Sequence, residues 1–170
     1  RVNGEPPGRA VERAGGGGLM LEDQVGPKRC GHMKGKGVIA AEEMVQKIRA
    51  AAEARMDPDF VIKSRTDVLA THGLAEAIRR LNLYAEAGAD CLYAPGIKTR
   101  DEITAVVKAV HPKPVNLLIG ASGLSPATAT DLGVRRISVG GSLARTAGAG
   151  VMGSAREMEV QGTVQKARRR

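Results

Sequence analysis

The chain has 170 residues, 42% of them hydrophobic, which is enough for one domain with a real core and too apolar for a disordered chain. Lys and Arg outnumber Asp and Glu by 26 to 18, a net charge of +8, but two Tyr, one Phe and no Trp argue against base-stacking platforms for single strands. No nucleic-acid motif is visible, no apolar run nears the roughly 20 residues of a membrane span, and the opening residues lack the apolar core of a signal peptide. No nucleic acid or membrane partner is therefore expected.

The elements follow in order. "GRAVERAGGGG" reads as the end of a helix stopped by glycine, and "LMLED" as a short strand ending in acids. Residues 25–38, "VGPKRCGHMKGKGV", form a polar, glycine-rich loop. Residues 40–55 predict a helix with Met44, Ile48 and Ala51 on one face. Asp57-Pro58 breaks it, and "FVIKS" is a buried strand with Arg65, Thr66 and Asp67 at its C-terminal end. Residues 73–89 predict a helix with Leu74, Ile78, Leu81 and Tyr84 on one face, ended by Gly88. "DCLYAPG" and "KPVNLLIG" are strands flanking the helix "TRDEITAVVKAV". "SPATATDLG" is a short helix, "VRRISVG" the last strand, and residues 141–162 the last helix.

Strands alternating with helices imply a parallel sheet with crossovers. About five β/α units are present, where a (β/α)8 barrel has eight in roughly 250 residues. Two architectures remain open: an open doubly wound sheet, or a partial barrel lacking its first strands. The chain opens on Arg1 rather than Met, which fits a fragment or a processed product.

The chemistry-bearing residues gather after strand C-termini, the ligand face of α/β folds. They are Glu22-Asp23, the segment Lys28–His32, Arg65 with Asp67, and Asn116. Cys30 lies among Lys28, Arg29 and His32, whose charge favours thiolate and suits a nucleophile or proton donor; an idle exposed thiol is the alternative. Its glycines would let the loop close over a substrate. His32 suits a hydrogen bond to a substrate oxygen, whereas His72 reads as solvated and His111-Pro112 as a turn. Glu22 and Asp23 could hold a hard cation such as Mg2+, or serve as caps. Arg65 suits a bidentate grip on a carboxylate or phosphate, or an ion pair with Asp67 or Glu22. "SVGGSLAR" leads through two glycines into a helix start that could hold an anion, or is a tight turn. Cys91, in an apolar strand, reads as a buried small hydrophobe, and two such unlike cysteines suggest a reducing, cytoplasmic compartment.

"LEDQVGPKRCGH", "AEEMVQKIRAA", "DPDFVIKSRTD" and "GLAEAIRRLNLYAEAGAD" together resemble the isocitrate lyase/phosphoenolpyruvate mutase superfamily, over roughly residues 10–162. The loop is most like that of the 2-methylisocitrate lyases. The resemblance implies a single truncated TIM-barrel domain over residues 1–170, a homo-oligomer with C-terminal helix exchange, and Mg2+-dependent cleavage of a C–C bond in a 2-hydroxy di- or tricarboxylate. It implies that Cys30 protonates the carbanion product, with Lys28 and His32 in the loop around it. Arg65 would bind a substrate carboxylate, together with Arg29, Gly31 and Asn116, and Glu22 would lie in the outer shell of the metal, which stabilises an enolate. Three features depart from the lyases. The Asp-x-Asp metal strand lies outside this sequence, Pro95-Gly96 stands where they have Pro-Glu, and residues 114–145 resemble a lyase/mutase or oxaloacetate-decarboxylase-like branch. Alternatives are therefore decarboxylase or mutase activity on the same fold, and a non-catalytic remnant that binds anions or a partner subunit.

Overall fold

A computed structural model describes residues 7–29 and 35–163. Chain contacts divide it into two compact units, residues 1–138 and 139–170. The first holds five strands and the helices between them. In order these are α1 (Pro7–Arg13), β1 (Gly18–Glu22), α2 (Ala41–Ala54), β2 (Val61–Arg65), α3 (Leu69–Glu86) and β3 (Cys91–Tyr93). There follow α4 (Arg100–Val110), β4 (Asn116–Leu118), α5 (Ile119–Ser122), α6 (Pro126–Asp131) and β5 (Arg136–Ser138). The second unit is helix α7 (Ser142–Gln161), which exposes Leu143, Val151, Met152 and Val160. Among the described residues no helix is long and apolar enough to cross a membrane.

All strand pairings are parallel and run in sequence order. β1 pairs with β2, β2 with β3, and β4 with β5. A single parallel bridge, Leu92 to Val115, joins β3 to β4. A doubly wound sheet would reverse its order at a switch point, whereas unbroken succession is the arc of a (β/α)8 barrel. The succession decides between the two architectures in favour of the partial barrel.

Strand side chains alternate between faces. One set packs under the helices: Leu92, Val115 and Leu117 meet Met44 and Ile48 of α2, Leu81 and Tyr84 of α3, and Ile103, Val106 and Val110 of α4 in one aliphatic core. The other set carries the polar residues of the site. The helices form where periodicity places them, because each presents one apolar stripe to this core. Residue 73 marks a real break: α3 begins at Leu69, four residues earlier than expected, and Gly73 interrupts it at φ 83°. Gly88 ends the same helix at φ 107°, where a Cβ would lie 3.0 Å from that of Ala52, so only glycine lets α2 and α3 approach there. The expected strand over 113–120 is shorter, because residues 119–122 turn into α5 and Gly123 caps it in the left-handed region.

Candidate functional site

Five neighbouring strand positions form one continuous row on the face away from the helices. Glu22 pairs in register with Arg65, and Arg65 with Tyr93. The Leu92–Val115 bridge carries the row to Asn116, which pairs with Arg136. Glu22, Arg65 and Tyr93 are the last residues of their strands. Asn116, expected beyond a C-terminal end, instead opens β4, fully buried. Its amide donates to Ser138 Oγ at 3.0 Å and its carbonyl accepts from Arg136 Nη1.

Two buried aspartates build the floor. Asp23 accepts from Thr66 Oγ1 (2.7 Å), the Asp67 N–H (2.9 Å), Tyr84 OH (2.9 Å) and Arg80 Nη1 (3.1 Å). Its carboxylate thus ties the end of β1 to the end of β2 and to α3. Both oxygens accept from protein donors, the structural alternative weighed for Asp23. Asp67 accepts from Arg65 Nε (2.7 Å) and Nη2 (2.9 Å), Lys36 Nζ (3.1 Å) and Gln24 Nε2 (3.2 Å). Burial pushes the Asp67 carboxyl up, but these donors, Arg65 first, outweigh it and hold it below its usual range. Burial likewise opposes the Arg65 charge, and Asp67 with Glu22 more than restores it.

The Arg65 ion pair weighed from the sequence is therefore present, and it is two-pronged. Asp67 occupies the Nε–Nη2 edge, which fixes the guanidinium plane and leaves the Nη1 edge for another acceptor. Glu22 stands beside it, with Oε2 3.4 Å from Arg65 Nε and Oε1 3.1 Å from Lys28 Nζ. Glu22 Oε2 is buried without a hydrogen-bond partner. A buried acceptor-only oxygen is costly unless something satisfies it, and a hard cation or its water is a fitting occupant. Among the described residues no three Asp, Glu, His or Cys side chains come together as a metal cluster, so Glu22 fits as one contributor.

Cys30, Gly31 and His32 lie outside the described residues; Arg29, just before them, is described. The roots of their segment are fixed beside the two aspartates. Gln24 and Val38 form an antiparallel bridge, Val25 N–H donates to Gly37 O at 2.9 Å, and Ile39 N–H to Asp23 O at 2.8 Å. The Arg29 N–H donates to Gln24 Oε1 at 3.0 Å. Elsewhere, His72 is exposed, Cys91 is a buried free thiol pushed up by burial, and Ser142 Oγ accepts from Arg145 at 3.2 Å.

Sequence reasoning missed Gln24, Lys36, Lys63, Tyr93 and Arg136. Lys63 and Arg65 lie two apart on β2, and both cations approach the Tyr93 ring, at 5.1 and 5.6 Å from its centroid. Period-two alternation in "VIKSR" carried that signal, since residues 63 and 65 must share a face.

Four matches to known proteins bear on this geometry. The family model for phosphoenolpyruvate phosphomutase matches residues 8–159. The 2-methylisocitrate lyase of Escherichia coli (strain K12) is 53% identical over 89 residues, which span 52% of this chain and 30% of that protein. A solved oxaloacetate acetylhydrolase, in complex with the inhibitor 3,3-difluorooxalacetate, superposes with a TM-score of 0.85 at 34% identity, over 95% of this chain and 58% of that one. A phosphonopyruvate hydrolase solved with oxalate and Mg2+ does so with a TM-score of 0.77 at 32% identity, over 94% and 56%. The match thus spans about a third of the curated relative and over half of each solved chain.

Proposed function

Because the chain belongs to the phosphoenolpyruvate mutase/isocitrate lyase superfamily, we propose that it serves C–C cleavage of a 2-hydroxy di- or tricarboxylate resembling 2-methylisocitrate. One observation carries the reading: an Arg65 guanidinium clamped on one edge by Asp67 and open on the other, beside the unsatisfied Glu22 oxygen and below the roots of the segment that bears Cys30.

Arg65 binds a substrate carboxylate through its open edge, and Asp67 keeps that edge aimed. Glu22 contributes a carboxylate to Mg2+, directly or through water, and the ion supplies stabilisation for negative charge on substrate oxygen. Lys28, paired with Glu22, carries positive charge two residues before Cys30 in the chain. In the cleavage the substrate hydroxyl gives its proton to a base, the C–C bond breaks, and its electron pair stays on the departing dicarboxylate carbon. Cys30 delivers the thiol proton to that carbon, and water reprotonates the thiolate. His32 donates a hydrogen bond to a substrate oxygen.

A second reading is favoured by Gly96, which stands where the lyases have glutamate, and by the likeness to an oxaloacetate acetylhydrolase. It takes an oxaloacetate-like dicarboxylate as the substrate of the same site.

The test follows pyruvate release from 2-methylisocitrate with Mg2+, and oxalate release from oxaloacetate. The first reading expects pyruvate from the unaltered chain and none from Cys30→Ser. Oxalate alone would favour the second, and full pyruvate release by folded Cys30→Ser would remove the thiol from the reaction.

A further inference from the structure

The row of strand residues carries more positive charge than its acids balance. Arg65 is neutralised by Asp67 and flanked by Glu22. Lys63 and Arg136 share the same face, and among the described residues neither has a carboxylate partner. Lys63 has the face of Tyr93, 5.1 Å away. Arg136 has the carbonyl of Asn116, a neutral acceptor whose amide is fixed by Ser138. The pieces lie on one face: Lys63 and Arg65 both approach the Tyr93 ring, and Asn116 binds Arg136 and Ser138, which share a face of β5. Lys63 is half-buried without an acid among the described residues, and the like charge of exposed Arg136 beside it adds to the cost of holding it there. Lys63 reflects that cost: burial, and next the Arg136 charge, push its ammonium below the usual lysine range.

We propose that Lys63 and Arg136 are a second anion anchor in this site, which takes a further carboxylate of the substrate and so selects substrates with two or more carboxylates. The inference rests on Arg65 holding the first carboxylate. Lys63 and Arg65 both face the Tyr93 ring, so this part of the face offers a second cation beyond the one already paired with Asp67. Asn116 and Ser138 are positioning residues that hold the Arg136 fork against the sheet. A compact monocarboxylate would fill the Arg65 edge and leave Lys63 and Arg136 unsatisfied. A longer polycarboxylate would neutralise both ends.

The experiment is calorimetric titration of the whole chain, with Mg2+ present, by pyruvate, succinate and tricarballylate. Tricarballylate is expected to bind at least about tenfold more tightly than pyruvate, as one added charge-assisted contact implies. In Lys63→Met and in Arg136→Met that ratio is expected to fall toward about one, and Lys63→Arg should restore most of it. A ratio that survives both methionine variants would overturn the proposal. Since Arg136→Met removes a partner from buried Asn116 and can fail to fold, a second measurement uses the unaltered chain. Tricarballylate is expected to protect Lys63 from acetylation by acetic anhydride, read by peptide mass, while pyruvate is not. Equal acetylation with and without tricarballylate would overturn the proposal as well. Lys63 protection without pyruvate binding would leave the second anchor standing and count against the Arg65 reading instead.

Discussion

Asp67 gathers Arg65, Lys36 and Gln24 around one carboxylate with no exposed side-chain surface. Its carboxyl is held below the usual range, so folding favours its ionised form. The sign follows from linkage. Stability from such a group is complete above the unfolded value near 4 and is lost as pH falls through the depressed folded value. Thermal melts of the unaltered chain should therefore weaken below about pH 4, in the window where Asp67 is protonated. Asp67→Asn should lose about 3 kcal/mol at neutral pH by leaving half-buried Arg65 with Glu22 alone as its counter-charge, with a flatter profile in acid. A variant that matched the unaltered chain at every pH would deny Asp67 its role. At this scale the sequence was partly readable. "SRTD" places an arginine and an aspartate two apart, and their pairing was one of the two readings weighed for Arg65. What spacing could not show was the third dimension: Gln24, Lys36 and Arg80 reach the aspartates from 31 to 57 residues away. Nothing local to Asp23 distinguishes a metal ligand from a latch holding two strand ends together.

The elements carry the site by ending in the right places. β1, β2 and β3 stop at Glu22, Arg65 and Tyr93, and their register sets those three side by side. The helices behind them hold the register, because their apolar stripes fill one face of the sheet. α4 is a test case, since it packs Ile103, Val106 and Val110 into the core and starts from a full capping box. Glu102 N–H donates to Thr99 Oγ1 at 3.2 Å, and the Glu102 carboxylate accepts from Thr99 N–H at 3.0 Å and Lys98 N–H at 2.8 Å. Thr99→Ala should cost about 1 kcal/mol in a urea melt, with the slope unchanged. An unchanged midpoint would mean that packing alone fixes this helix. Helices were the most legible elements because a 3.6-residue period spans several turns of evidence. Strands of three residues offer too few alternations. The apolar run through "NLLIGAS" hid the passage from β4 into α5, where burial rather than period decides the backbone.

Five parallel strands in unbroken order reproduce more than half of each solved relative's chain. This scale was legible from the alternation of strand and helix, but the choice between an open sheet and a barrel arc was not. Both patterns alternate identically along the chain, and only the neighbour relations of the strands separate them. The functional consequence is that β1, β2 and β3 bring their last residues, and β4 and β5 their first, to one row. The central claim is that this place binds a carboxylate through Arg65 with help from Mg2+ at Glu22. The most direct measurement is calorimetric titration of pyruvate into the chain, with and without Mg2+, beside Arg65→Ala. Saturable binding that needs Mg2+ and weakens at least about tenfold in Arg65→Ala is the expected result. No binding by a folded chain, or equal binding by Arg65→Ala, would contradict the account.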